Sequence, residues 1–386
     1  MLVNMNDMLT HAYQNGYGIG AFELISLDFL KAILDGATHC QAPVILSLAE
    51  SHFNYDDFEI IMPAVLAAAK RTAVPVAIHL DHGTSLQAAI TAIGLGCNSI
   101  MVDASDLPFA ENVSQTREVV NMAHSCGVSV EGELEYVTGV ATKDASYTSP
   151  EEAQRYVAET GVDYLAVAIG TVQGRTPGKP FDFEHLAKIN DTLKMPLVIH
   201  GGTDLSEVQF RQLIASGVTK INYYTTLAAT VIDAIRQHVH EQLETGYTGM
   251  VQGVQNAIRL EIEHCIQLWG SAGRAQEVLA HCQPWQHVEH LIIYNTDSSL
   301  PEQQVSDMMQ QGRQVLSAIP GVLKVFTGQA VREDVQYRYC WLIRFAHAAV
   351  IDSYREHPAH KNFADMLFRP HAKERISIDY LETGNE

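Results

Sequence analysis

The sequence predicts a (β/α)8 TIM barrel, an α/β fold, followed by a small ferredoxin-like α+β domain. Three observations carry the prediction: short strand-like runs recur before residue 230, helical periodicity separates them, and the order changes to βαββαβ after residue 287. The runs fall at 18–22, 43–48, 76–80, 99–102, 128–131, 164–168, 197–199 and 220–222. Most are continuously apolar, as parallel strands covered on both faces must be. Helix-like segments at 27–39, 58–71, 85–94, 110–126, 150–160, 183–193 and 206–216 alternate with them. Pro150, Glu151 and Glu152 suit a first helical turn, where a missing N–H costs little and negative charge is favoured. This many βα units in so short a span fit a closed barrel better than an open doubly wound sheet.

Chemistry in such barrels sits at the C-terminal strand ends. There the chain reads Glu23; Ala49 and Glu50; Asp81 and His82; Asp103; Glu131 and Glu133; Gln173; His200, Gly201 and Gly202; and Asn222 with Thr225. Chance surface residues account for one or two such ends, but not the series. In V-A-I-H-L-D-H-G-T (76–84) a carboxylate and an imidazole close a buried strand, and groups so costly to desolvate usually face a polar cleft. Asp81 is a candidate general base and His82 a candidate metal ligand. Taken alone, the pair equally suits a helix cap and a turn. His200, on strand seven, can meet His82 in a closed barrel, and two imidazoles with a third ligand and an open position make a catalytic zinc site. Gly201 and Gly202 can present backbone N–H groups to a phosphate. Gly170, Gly174 and Gly178, with Pro177, read as a mobile lid.

Composition bounds the rest. The 386 residues, 47% of them hydrophobic, suffice for one large core or for a large and a small domain. A net charge of -20 argues against nucleic-acid and anionic-membrane partners, yet leaves phosphorylated metabolites open, since local dipoles can hold them. No apolar run of transmembrane length and no secretory leader is visible. Six scattered cysteines without a C-x-x-C pair fit reduced thiols in the cytoplasm.

The motifs H-L-D-H (79–82), M-V-D-A-S-D-L-P-F (101–109), V-S-V-E-G-E-L (128–134), A-V-A-I-G-T (166–171), I-H-G-G-T (199–203) and K-I-N-x-x-T (220–225) stand in the order of a known family. The chain resembles, over residues 1–270, the class II, metal-dependent aldolases of the fructose- and tagatose-bisphosphate group. The resemblance implies that Asp81 exchanges the proton during C–C cleavage and that His82 and His200 bind zinc or another divalent metal. A monovalent cation is a further candidate cofactor. Glu131 and Glu133 would form an acidic pair near the metal, as an alternate metal site. Gly174, Gly201, Thr203, Asn222 and Thr225 would contact a sugar or sugar-phosphate substrate. The resemblance also implies a homo-oligomer, dimer or tetramer. The chain departs from the family at the mouth of the barrel. Gln173 stands where a third zinc histidine is usual, and a neutral oxygen is a poorer zinc donor than imidazole. Asp204 stands in the phosphate loop, Tyr223 and Tyr224 replace small residues, and Glu23, Ala49 and Asp106 differ likewise.

From 232 to 268 helical periodicity continues, and 270–274 with 281–285 make a natural linker, which sets domain limits at 1–283 and 284–386. The expected elements beyond it are a strand at 288–294, a helix at 301–319, strands at 322–328 and 337–345, a helix at 346–356 and a strand at 376–380. H-L-I-I-Y, I-P-G-V-L, H-P-A-H (357–360) and the closing I-D-Y resemble the Dabb, or stress-responsive dimeric α/β-barrel, domains, whose sheets usually pair between two chains. His290, His357 and His360 are the candidate pocket histidines there, with His357 and His360 better suited to helix-terminus caps and loop bonds. The leading expectation is a lyase that cleaves or forms a C–C bond through an enediolate. An isomerase or epimerase would use the same chemistry, and a non-catalytic sugar-phosphate sensor would need no proton shuttle.

Overall fold

The computed structural model describes residues 1–54, 58–134, 148–169, 181–202, 205–241 and 246–382. The chain divides into two compact units, one of Met1–Ala89, Cys97–Val120 and Ser129–Pro284, the other of Ile90–Gly96, Asn121–Val128 and Trp285–Glu386. In the first, parallel strands β1 (Ile19–Glu23), β2 (Val44–Ala49), β3 (Val76–Gly83), β4 (Ser99–Val102), β5 (Ser129–Glu133), β6 (Tyr164–Ala166), β7 (Leu197–Ile199) and β8 (Val218–Tyr223) close into a barrel. β8 returns to β1 with Asn222 opposite Ala21. The helices that alternate with the strands start where their sequences can cap them. Ser26, Ser149, Asp182 and Ser206 each accept a backbone N–H of the following first turn, and Ser206 with Gln209 completes a capping box. No helix among the described residues is long and apolar enough to cross a membrane.

A helix the sequence pattern did not announce, Met5–Asn15, plugs the N-terminal end of the barrel. Asn4 caps it through Oδ1, Gly16 ends it at φ 65, and its Met5, Met8, Leu9 and Ala12 form one cluster with Ala21, Ile45, Tyr164 and Val198. Beyond this apolar plug the interior turns polar. His79, Ser99, Glu131 and Lys220 are fully buried, and Ser47 and Ser129 nearly so. His79 Nδ1 meets Ser99 Oγ at 3.0 Å, Ser99 Oγ meets the Tyr164 hydroxyl at 3.0 Å, and that hydroxyl donates to Ser129. Buried polar groups are tolerated when such a network satisfies them.

The second unit holds an antiparallel sheet of β9 (Val288–Thr296), β10 (Val322–Gln329), β11 (Tyr339–Phe345) and β12 (Ala372–Leu381) in the order β10-β11-β9-β12. With helix Glu302–Ser317 this is the ferredoxin-like arrangement that the sequence order predicts. The second helix starts later than expected, at Val350, ends its first segment at Glu356 as expected, and continues in further segments, Pro358–Phe363 and a π turn at Ala364–Phe368. His357-Pro358 causes the break, since the residue before proline is driven to extended backbone (ψ 133) and proline fits only at a helix start. His357 Nδ1 accepts the Ala359 N–H as a cap, and His360 Nδ1 donates to the Arg355 carbonyl at 3.1 Å.

Candidate active site

The β3 end positions the two central side chains. Successive strand residues face opposite sides, yet Asp81 and His82 line the same cavity, of about 220 Å³, at the C-terminal mouth of the barrel. The β3–β4 ladder takes up one extra residue between Leu80 and Gly83, and His82 adopts φ 50, a left-handed conformation that costs a non-glycine residue about 1–2 kcal/mol. Gly83 has no room for a side chain: a Cβ would stand 2.7 Å from the Met101 carbonyl oxygen. Strain held at such a point marks a functional constraint.

His82 Nδ1 lies 2.7 Å from Asp103 Oδ2, and His200 Nε2 lies 2.9 Å from Glu131 Oε1. A carboxylate only accepts, so those two nitrogens carry protons, and the other nitrogen of each ring is the one that can meet a further proton or a cation. The remaining nitrogens, His82 Nε2 and His200 Nδ1, face each other at 3.2 Å. At that distance they share a hydrogen bond, a proton there can be replaced by a cation, and Asn222 Nδ2 also lies 3.3 Å from His200 Nδ1. Burial alone would lower the His82 pKa, but Asp81, the hydrogen bond to Asp103 and Glu133 outweigh it and lift it to about 10.

Asp81 accepts from Asn222 Nδ2 on both oxygens, at 2.9 and 3.1 Å. Burial opposes its ionisation, yet His82, His200 and Lys220 outweigh burial and hold the carboxyl below its usual range. Lys220 Nζ donates to Asn222 Oδ1 at 2.7 Å, which fixes the amide so that its NH2 end points at Asp81. The same ammonium pairs with Glu131 Oε2 at 2.8 Å, both side chains fully buried. Burial would raise Glu131, but Lys220 and then the His200 hydrogen bond hold it well below the carboxylate range. Burial, helped by Lys220, lowers His79 to about 3 and keeps it neutral beside Glu131.

Glu133 differs from Glu131. Neither of its buried oxygens accepts a hydrogen bond among the described residues, and burial, then Asp103, push its pKa well up. Its Oε2 lies 4.0 Å from His82 Nδ1. Among the described residues two groups have ligand atoms all within 4.8 Å of one another, Asp81 with His82 and His200, and His82 with Asp103 and Glu133. The donor set fits a divalent cation: two imidazoles each oriented by a carboxylate, and the buried Glu133 carboxyl, which has no hydrogen-bond partner among the described residues.

The other sequence candidates sort clearly. Gly201, at φ 75, turns the chain after His200, and Gly201, Gly202, Asn222 and Thr225 line the same cavity as Asp81. Tyr223 and Tyr224 line it too. The Tyr223 hydroxyl donates to Glu261 at 2.7 Å, and Tyr224 stands edge-on to His52 at 5.7 Å between ring centroids. Gln173, Gly174, Thr203 and Asp204 lie outside the described residues, as does the glycine loop from 170 to 178. Sequence reasoning assigned no role to Lys220 or His79. The available signal was parity, because Lys220 stands two residues before Asn222 and His79 two before Asp81, on the inward face of each strand.

Comparison with known proteins agrees with this geometry. The family model for class-II fructose-bisphosphate aldolase matches residues 3–274, and that for the stress responsive A/B barrel domain matches residues 288–382. The YdjI aldolase of Escherichia coli K12 is 31% identical, with a TM-score of 0.66 over 71% of this chain and 100% of that one. A putative fructose-1,6-bisphosphate aldolase from Coccidioides immitis is 27% identical, with a TM-score of 0.64 over 70% of this chain and 97% of its own. The fructose-bisphosphate aldolase of Campylobacter jejuni, 20% identical, shares the fold, with a TM-score of 0.61 over 70% of this chain and 96% of its own. With residues of H-L-D-H, I-H-G-G-T and K-I-N-x-x-T lining one cavity and the family model matching residues 3–274, the chain belongs to the class-II fructose-bisphosphate aldolases, here carrying a stress-responsive A/B barrel domain after the barrel.

Proposed function

We propose that this aldolase-type lyase is metal-dependent and cleaves or forms a C–C bond in a ketose or ketose phosphate through an enediolate. The convergence of His82 Nε2 and His200 Nδ1, 3.2 Å apart beside an ionised Asp81, carries the proposal. His82 and His200 would hold the metal, zinc before other divalent ions, with Gln173 as a third ligand and Glu133 with Asp103 as an alternate position. A bound divalent cation supplies the charge that polarises a ketone oxygen and stabilises an enediolate. Asp81 moves the proton as the bond breaks or forms, and Asn222 keeps its carboxylate aimed into the cavity. Glu131 and Asp103 hold the two imidazoles in the ligating tautomer. Gly174, Gly201, Thr203, Asn222 and Thr225 would receive the sugar phosphate.

The test is proton exchange at the carbon next to the carbonyl of dihydroxyacetone phosphate in D2O, with zinc-loaded protein. Asp81→Ala is expected to lower the exchange rate by about 10²–10⁴-fold, the usual weight of a positioned base. Exchange without fragment release from ketose phosphates would favour the isomerase, and no exchange by the parent protein would favour the sensor.

The open face of the second sheet supports self-association. Register places Leu291 beside Leu342 and Ile378, and Ile293 beside Ile376, on one side of the sheet. Phe326, Ile376, Ile378 and Tyr380 there are 39–50% exposed. A homodimer through this face is the proposed assembly, and Ile378→Lys is expected to shift the sedimentation coefficient to that of the monomer. All six cysteines are free, which supports a reducing, cytoplasmic setting. The compact units change over at Pro284, which supports domain limits near 283 and 284.

A further inference from the structure

One wall of the barrel cavity carries groups that the proposed chemistry does not use. Glu23 ends β1, Ser51 and His52 follow β2, and all three line the cavity together with Asp81. Glu23 is 5% exposed, so its carboxyl is built into this wall and is not a chance surface group. Its Oε1 accepts the Ala49 N–H at 2.6 Å and lies 3.3 Å from His52 Nδ1, which fixes the direction of the side chain. Nothing among the described residues donates to Oε2. In a side chain this buried, an oxygen without a donor is costly unless a bound molecule meets it.

The charge of the wall selects what that molecule can be. Asp81 faces the same cavity, and no lysine or arginine among the described residues lines it. Burial, and then the Asp81 charge, push the Glu23 pKa up against the pull of His52, so a further negative group beside it is disfavoured. A phosphate dianion offers only acceptor oxygens and would meet Glu23 as acceptor against acceptor. A hydroxyl both donates and accepts, and so suits Glu23 in either protonation state. Across the cavity, the turn Gly201-Gly202 after β7 brings backbone to the lining and no carboxyl, as an anion requires.

We propose that the cavity takes a phosphate at one end only. The substrate is a monophosphate whose far end is a neutral, hydroxyl-bearing chain donating to Glu23, and Glu23 is the residue that excludes a second phosphate. The inference rests on the sugar-phosphate reading above and narrows it.

Calorimetric titration of the full-length chain, in zinc-containing buffer, with mannitol 1-phosphate and mannitol 1,6-bisphosphate tests it. Neither hexitol has a carbonyl, so neither can be cleaved. The monophosphate is expected to saturate one site per chain and to bind about tenfold or more tighter than the bisphosphate, as the like charges predict. Glu23→Gln keeps the size of the side chain and an acceptor for the Ala49 N–H while removing the charge. In that variant the ratio is expected to fall to about threefold or less, through tighter bisphosphate binding. No saturable binding of the monophosphate, a bisphosphate that binds the parent as tightly, or a ratio unchanged in Glu23→Gln would each overturn the proposal. The parent's ratio alone can overturn it, should the variant not fold. Proton exchange into dihydroxyacetone phosphate tests the lyase reading separately. A parent that discriminates the hexitols but exchanges no proton keeps this inference and loses that reading, and one that exchanges but does not discriminate loses this inference alone.

Discussion

His200→Ala protein is expected to lose its divalent metal. The parent, dialysed against buffer with trace zinc, should carry about one ion per chain, and the variant's affinity should fall by more than ~100-fold, since loss of outer-shell partners alone costs 10–100-fold. The reason lies in how the imidazoles are oriented. Glu131 and Asp103 each engage one nitrogen of a ring, and the two remaining nitrogens point at each other across one gap. Removing His200 takes one donor away and also leaves Glu131 without the hydrogen bond it accepts at 2.9 Å. Metal analysis by mass spectrometry of parent and variant decides between the outcomes. Equal zinc in the two proteins would mean that the ion binds elsewhere, and parent protein that takes up none would mean that Gln173 has ended the inherited site.

Lys220→Met should be the most destabilising single change in the barrel. The ammonium is wholly buried and serves two partners, Glu131 Oε2 at 2.8 Å and Asn222 Oδ1 at 2.7 Å. Its removal leaves the Glu131 carboxylate in the interior without its counter-charge, a loss of about 3–5 kcal/mol. The readout is the calorimetric melting temperature of the full chain, expected to fall by several degrees. A double variant, Glu131→Gln with Lys220→Met, removes both charges and should recover most of that loss, because the penalty belongs to the unpaired ion. It should not recover proton exchange, because Asn222 no longer has the donor that aims its amide at Asp81. A Lys220→Met protein that melts with the parent would show that water reaches Glu131 and that the pair is not dry.

Much of this was legible in the sequence. Strands at 99–102 and 197–199 and helices at 27–39, 58–71, 150–160 and 183–193 have the same limits in the structure. Their apolar runs and caps are local signals, and local signals survive folding. Asp81, His82, His200 and Asn222 were legible because a polar residue that ends an apolar strand is costly to bury unless it faces a cleft. What escaped was non-local. The plug Met5–Asn15 has one apolar face that means nothing until a barrel bottom exists to receive it. Lys220 in a strand reads as an edge or an exposed position, and only closure of the ring places Glu131 opposite. The bulge after Leu80 is a register property, invisible until β4 lies alongside. The helix expected over 346–356 ends at Glu356 as the structure has it, but the segments that follow Pro358 escaped, because His357-Pro358 reads equally well as an end and as the start of a new helix.

The gap between His82 and His200 also has a consequence for how long the chain lives. An ion that binds the closed barrel and not the open chain adds RT ln(1 + [L]/Kd) to folding, about 2.7 kcal/mol when free metal stands at a hundred times its Kd. If the barrel holds the proposed ion, folding and metal supply are one equilibrium, and chains made under metal scarcity are expected to open more often and to be the ones that proteases find first.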